Sequence, residues 1–111
     1  MPRKRVDKPW GAEEIWAKTE AYVGKIIHIK AGHRLSKQYH VKKEETVYVL
    51  EGVLLNYDEE DAITVYSPGE SLHIKPGQVH RFAAKNEDVK IMEVSTNHLD
   101  DVVRLEDDYG R

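Results

Sequence analysis

The sequence predicts an all-β fold, a sandwich or barrel built as one domain. Short runs rich in Val, Ile, Tyr and Thr recur along the chain, turn signals separate them at short intervals, and no window carries helical periodicity for more than about two turns. The runs are "YVGKIIHI", "TVYVL", "VLLNY", "AITVY", "SLHI", "HRFAA" and "VKIMEVST", and each reads as a strand. Between them fall "AG" at 31–32, "EG" at 51–52, "NYDEED" at 56–61, "SPG" at 67–69, "KPG" at 75–77 and "KNED" at 85–88. Gly32, Gly52, Gly69 and Gly77 stand where sharp turns join strands, and Pro76 presets a turn ahead of His80.

A chain of 111 residues supports one core, so the whole of 1–111 is expected to form a single domain. Its composition is 40% apolar and 33% charged with a net charge of −3, which gives no reason to expect nucleic acid as a partner. Residues 1–7 read as a basic N-terminal arm with Arg3, Lys4 and Arg5, followed by Lys8, expected to be solvated and partly disordered. Residues 99–111 read as an acidic tail, a short turn or helix lying over the barrel. No apolar run approaches the ~20 residues of a membrane span, and no signal-peptide core follows the basic start; the expectation is no membrane partner and a cytoplasmic location. With no cysteine, disulfides and thiolate metal sites are excluded.

Strand parity singles out a cluster. Residues two apart on a strand share a face, so Gln38 and His40 point the same way with Tyr39 opposite. In "EETVYVLEG", Glu45 shares a face with Val47 and Val49, which look like core. An inward carboxylate is costly unless it is paired or coordinates a metal. Gln38, His40, Glu45 and His80 together would offer two nitrogens and two oxygens to one divalent ion, the donor types a zinc-like site takes at about 2.0–2.2 Å. They can converge only if 38–40 and 76–80 meet across a barrel.

That spacing resembles the cupin family. Gly32, five residues, Gln38-Tyr39-His40, four residues, Glu45, six residues and Gly52 follow the first cupin motif at each interval, with Gln in place of its first His. Gly69, Pro76-Gly77, two residues and His80 are similar to the second, although Pro and Gly are adjacent here and Asn86 falls late. The resemblance implies a jelly-roll barrel whose four motif positions bind one divalent metal.

More of the chain resembles one cupin branch, the type II mannose-6-phosphate isomerases. "KPWG" at 8–11, "LSKQYH" at 35–40 and "RLEDDYGR" at 104–111 are similar to that branch's signatures. The resemblance implies a sugar-phosphate isomerase using a divalent metal, zinc first, with manganese, iron or nickel able to occupy such a site. Lys42 and Lys43 depart from the branch, standing where it has His and Arg. Lys43 remains a point charge that could meet a substrate phosphate. The proton-transferring base is not evident; the candidates are a pocket Lys or Glu, or the Arg104–Glu106 region, with Arg104 the named residue, if the tail folds over the mouth. Lys30, His28 and His73 are left open as barrel-lining residues. Trp10 and Trp16 read as packing on the barrel exterior or a dimer seam. Tyr48 and Leu50, opposite Val47 and Val49, suggest a homodimer surface covering exposed sheet. Two other functions fit the same residues: a non-catalytic carbohydrate-binding module, and a small Fe(II) dioxygenase using His40, Glu45 and His80 as a two-His-one-carboxylate set beside an apolar cavity.

Overall fold

A computed structural model describes residues 4–110. Eleven strands make up the architecture among them: β1 (Lys4–Lys8), β2 (Gly11–Lys18), β3 (Tyr22–Ile29), β4 (Lys37–Tyr39), β5 (Glu45–Glu51), β6 (Leu54–Tyr57), β7 (Ile63–Tyr66), β8 (Ser71–Ile74), β9 (Arg81–Ala83), β10 (Val89–Thr96) and β11 (Val103–Glu106). They form a six-stranded sheet in the order β1-β2-β3-β10-β5-β8, a three-stranded sheet β7-β6-β9 and a two-stranded ribbon β11-β4. Every pairing is antiparallel. Two isolated bridges, Arg34↔Ala83 and Gln38↔His80, stitch the chain entering β4 to β9 and its approach. No helix among the described residues is long and apolar enough to cross a membrane.

Alternation builds the core. On β5 the inward set is Glu45, Val47 and Val49, and on β10 it is Val89, Ile91, Glu93 and Ser95, all buried. The apolar members pack with Leu54, Ile74 and Phe82 into one cluster. The runs read as strands at 22–29, 71–74 and 89–96 coincide with β3, β8 and β10, and the other four shift by a residue or two at their ends.

Gly52 needs its missing side chain for two reasons. Its φ is +77°, and a Cβ there would stand 2.3 Å from the Asp88 carbonyl oxygen. The β5–β6 turn therefore presses against the chain leading into β10.

Both ends correct the sequence reading. Lys4–Lys8 is not a solvated arm but strand β1, paired with β2 from Lys4↔Ile15 to Lys8↔Gly11; Arg3 lies outside the described residues. The acidic stretch contains strand β11, laid against β4 as Val103↔Tyr39 and Arg104↔Gln38. Backbone pairing outweighs side-chain propensity at such edges. Trp10 is likewise not exterior: it is buried in the core cluster. Trp16 is on the outside, its ring lying over Gly24, where a Cβ would meet it at 2.6 Å. His28 is half-buried, while Lys30 and His73 are exposed, and His73 pairs with Glu44 at 2.6 Å.

Candidate metal centre

The site forms where β4, the start of β5 and the turn before β9 meet. Gln38 and His80 exchange two backbone hydrogen bonds, of 3.0 and 2.9 Å, and Gly77 N–H donates to the His40 carbonyl at 2.6 Å. These bonds bring the two halves of the sequence pattern together. His40, Glu45 and His80 are all buried and offer ligand atoms lying within 4.8 Å of one another. His40 Nε2 lies 3.8 Å from Glu45 Oε2, and His80 Nε2 lies 3.6 Å from Glu45 Oε1. Both distances are too long for hydrogen bonds.

The second nitrogen of each ring fixes its tautomer. His40 Nδ1 stands 2.5 Å from the Asp101 carbonyl and His80 Nδ1 stands 3.0 Å from the Gln78 carbonyl. A carbonyl only accepts, so each Nδ1 carries the proton and each Nε2 presents a lone pair. Burial holds both imidazoles neutral: it lowers His40 and takes His80 down to about 4. Both Nε2 atoms are buried with no hydrogen-bond partner. Two orphaned imidazole lone pairs facing a buried carboxylate fit a divalent cation, which supplies the missing partner for both rings.

Gln38 lines the same pocket, about 120 Å³ in volume, and its Oε1 accepts from the Ser36 hydroxyl at 3.1 Å. Arg104 also lines it, exposed on β11 opposite Gln38, and Lys8 approaches from β1. Neither cation has a charged partner among the described residues. Lys43 does not stand at the mouth. It is buried, with Nζ 2.9 Å from Glu45 Oε2 and 3.1 Å from Glu93 Oε2. Burial alone would lower its pKa, but the Glu93 and Glu45 carboxylates reverse this and raise it, so it stays an ammonium. Its two carboxylate partners replace the phosphate contact read from the sequence.

Four charged lining residues escaped sequence reading: Glu93, Lys25, Glu13 and Asp101. Glu93 shares the inward face of β10 and Lys25 that of β3; Lys25 Nζ lies 3.4 Å from Glu13 Oε2. A charge at an inward parity position, the feature that exposed Glu45, marks both Glu93 and Lys25. Asp101 is the fourth. Its carboxylate accepts the backbone N–H groups of Val41, Lys42 and Lys43 at 2.9, 2.7 and 2.9 Å, and these bonds hold it down at about pKa 2.

A small β-barrel with two His and a Glu converging beneath its mouth defines a cupin, and solved structures agree on the fold. A cupin-like protein from Thermotoga maritima superposes with a TM-score of 0.77 at 18% identity, over 86% of this chain and 76% of that one. The chain belongs to the family described as Mannose-6-phosphate isomerase C-terminal, which it matches over residues 2–107. It is 30% identical to the xanthan biosynthesis protein XanB of Xanthomonas campestris pv. campestris, over 97% of this chain and 24% of that protein. It is 32% identical to the alginate biosynthesis protein AlgA of Pseudomonas aeruginosa, over 96% and 23%. The chain thus spans about a quarter of the length of these curated relatives.

Proposed function

We propose that the chain is a divalent-metal-dependent sugar-phosphate isomerase acting on mannose 6-phosphate or a close analogue. The observation that carries this is the convergence of His40 Nε2, His80 Nε2 and Glu45 in a chain that matches the mannose-6-phosphate isomerase family almost end to end. Two imidazoles and a carboxylate suit zinc, with Gln38 able to add an amide oxygen. When bound, the ion supplies Lewis-acid polarisation of a sugar carbonyl, which eases proton movement between C1 and C2. The chain's residues do the rest. His40 and His80 hold neutral donors in fixed tautomers, Glu45 supplies the negative charge, and Lys8 and Arg104, without a charged partner among the described residues, are cations at the mouth suited to a phosphate.

One observation favours a second reading, a carbohydrate-binding module without turnover. The pocket's carboxylates are committed: Glu13 to Lys25, Glu93 to Lys43 and Asp101 to three backbone N–H groups. None stands ready as a proton-transferring base. The charged lining disfavours the dioxygenase, which called for an apolar cavity. NMR of the zinc-loaded protein with mannose 6-phosphate in deuterated water separates the two readings. Turnover gives fructose 6-phosphate with deuterium taken up at C1, abolished in His40→Ala; a module broadens the sugar signals and forms no product.

The proposed partner of the protein itself is a second copy. Ile26, Met92 and Tyr48 stand side by side across β3, β10 and β5, with Val94 and Trp16 in the adjoining row over Gly24. Trp16, Tyr48 and Val94 are each more than two-fifths exposed, on a face running over four strands. Light scattering on wild type and Tyr48→Glu tests it: a dimer becoming a monomer supports the face, and a wild-type monomer rejects it.

A further inference from the structure

Two buried charges, Lys43 and Glu93, sit directly behind Glu45 of the ligand cluster. Lys43 comes from the loop between β4 and β5, Glu93 from β10 and Glu45 from the start of β5. Their side chains are 7, 4 and 2% exposed. The Lys43 ammonium bridges the two carboxylates, touching Glu45 at Oε2, while Glu45 Oε1 faces His80 Nε2. Beyond Glu93, Lys25 continues the alternation to Glu13. A buried charge triad is weak evidence for stability, because desolvation consumes most of the Coulomb gain. Its consequence lies at the centre it touches.

We infer that Lys43 and Glu93 are positioning residues that set the affinity of the metal centre. Lys43 withholds Glu45 Oε2 from an incoming ion, and Glu93 cancels the repulsion that the Lys43 ammonium would exert on that ion. The inference rests on the reading of His40, Glu45 and His80 as ligands.

The two residues act with opposite sign. Remove the Lys43 charge, and Glu45 and Glu93 share a buried space with no cation between them. A divalent ion then becomes their counter-ion, and Glu45 can offer both oxygens. Remove the Glu93 charge, and Lys43 is left as a half-compensated cation against the site, with Glu45 as its one remaining anionic partner among the described residues. Metal affinity should rise in the first case and fall in the second, because like charges repel strongly where solvent is excluded. A merely structural role predicts otherwise: both changes would loosen the same packed layer and weaken metal binding together.

The test is zinc affinity of the metal-free full chain, read by competition with a chromophoric chelator. Lys43→Met and Lys43→Gln are both measured, so that poor folding of one leaves the comparison standing; circular dichroism checks each. Glu93→Gln and the double variant Lys43→Met/Glu93→Gln complete the set. Lys43→Met or Lys43→Gln should bind zinc about tenfold tighter and Glu93→Gln about tenfold weaker, the scale on which residues behind a ligand shell act. The double variant should return close to wild type. The rise in Tm on adding zinc should follow the same order. Shifts in one direction for both single changes, or no shift in either, overturn the inference while leaving the ligand assignment intact. A wild-type chain that binds no zinc removes the ligand assignment and the inference with it.

Discussion

Asp101 holds His40 in place twice. Its carbonyl accepts the Nδ1 proton of His40, and its carboxylate accepts the N–H groups of the three residues that follow His40. One residue just ahead of β11 therefore orients the imidazole and closes the loop that carries Lys43. Asp101→Ala keeps the carbonyl but strips three backbone donors of their acceptor. Zinc affinity should fall about 10–100-fold, with the fold retained, as chelator competition and circular dichroism would report.

Arg104 and Lys8 line the pocket mouth and have no charged partner among the described residues. If they meet the phosphate of a substrate, Arg104→Ala should weaken binding of mannose 6-phosphate by about 10–100-fold, since a charge-assisted contact is worth about 1.5–3 kcal/mol. Binding of unphosphorylated mannose should be unchanged. Calorimetric titration with both sugars checks the difference, and equal losses for the two would assign Arg104 another role.

Asp108 gives a prediction about stability and pH. Its carboxylate receives Arg34 Nε at 2.6 Å and Arg34 Nη2 at 3.0 Å, and buried Arg81 donates to it at 3.0 Å. The Arg34 hydrogen bonds, with Arg81 behind them, hold its pKa below the ordinary 3.8. A depressed carboxylate stabilises the fold fully above its unfolded pKa and loses that contribution as pH falls through the lower folded value. Asp108→Asn should cost about 1–3 kcal/mol near neutral pH, because Arg81 is left with an unmatched buried charge. The gap in Tm between the variant and wild type should then narrow below about pH 4.

Much of this was legible in the residues. Val47 and Val49 pointed Glu45 inward, and the structure buries it beside them. The spacing from Gly32 to Gly52 and from Pro76 to His80 anticipated a meeting that the Gln38↔His80 bridge makes. What escaped was of two kinds. Glu13-Glu14 and two alanines make β2 look unlike a strand, and only its pairing with β3 and β1 makes it one. Lys43 and Asp101 lie in loops, where no periodicity assigns a face, so their burial and bonding depend on how distant segments dock. Glu93 is different: its alternation with Ile91 and Ser95 in "VKIMEVST" already placed a charge on an inward face.

The measurement that tests the metal centre most directly is metal content by mass spectrometry on tag-free protein, wild type beside His40→Ala. The expected result is about one zinc per chain in wild type, lost in the variant, as for a site whose neutral imidazoles supply half its ligands. Wild-type protein without stoichiometric metal, or metal that persists in His40→Ala, would contradict it.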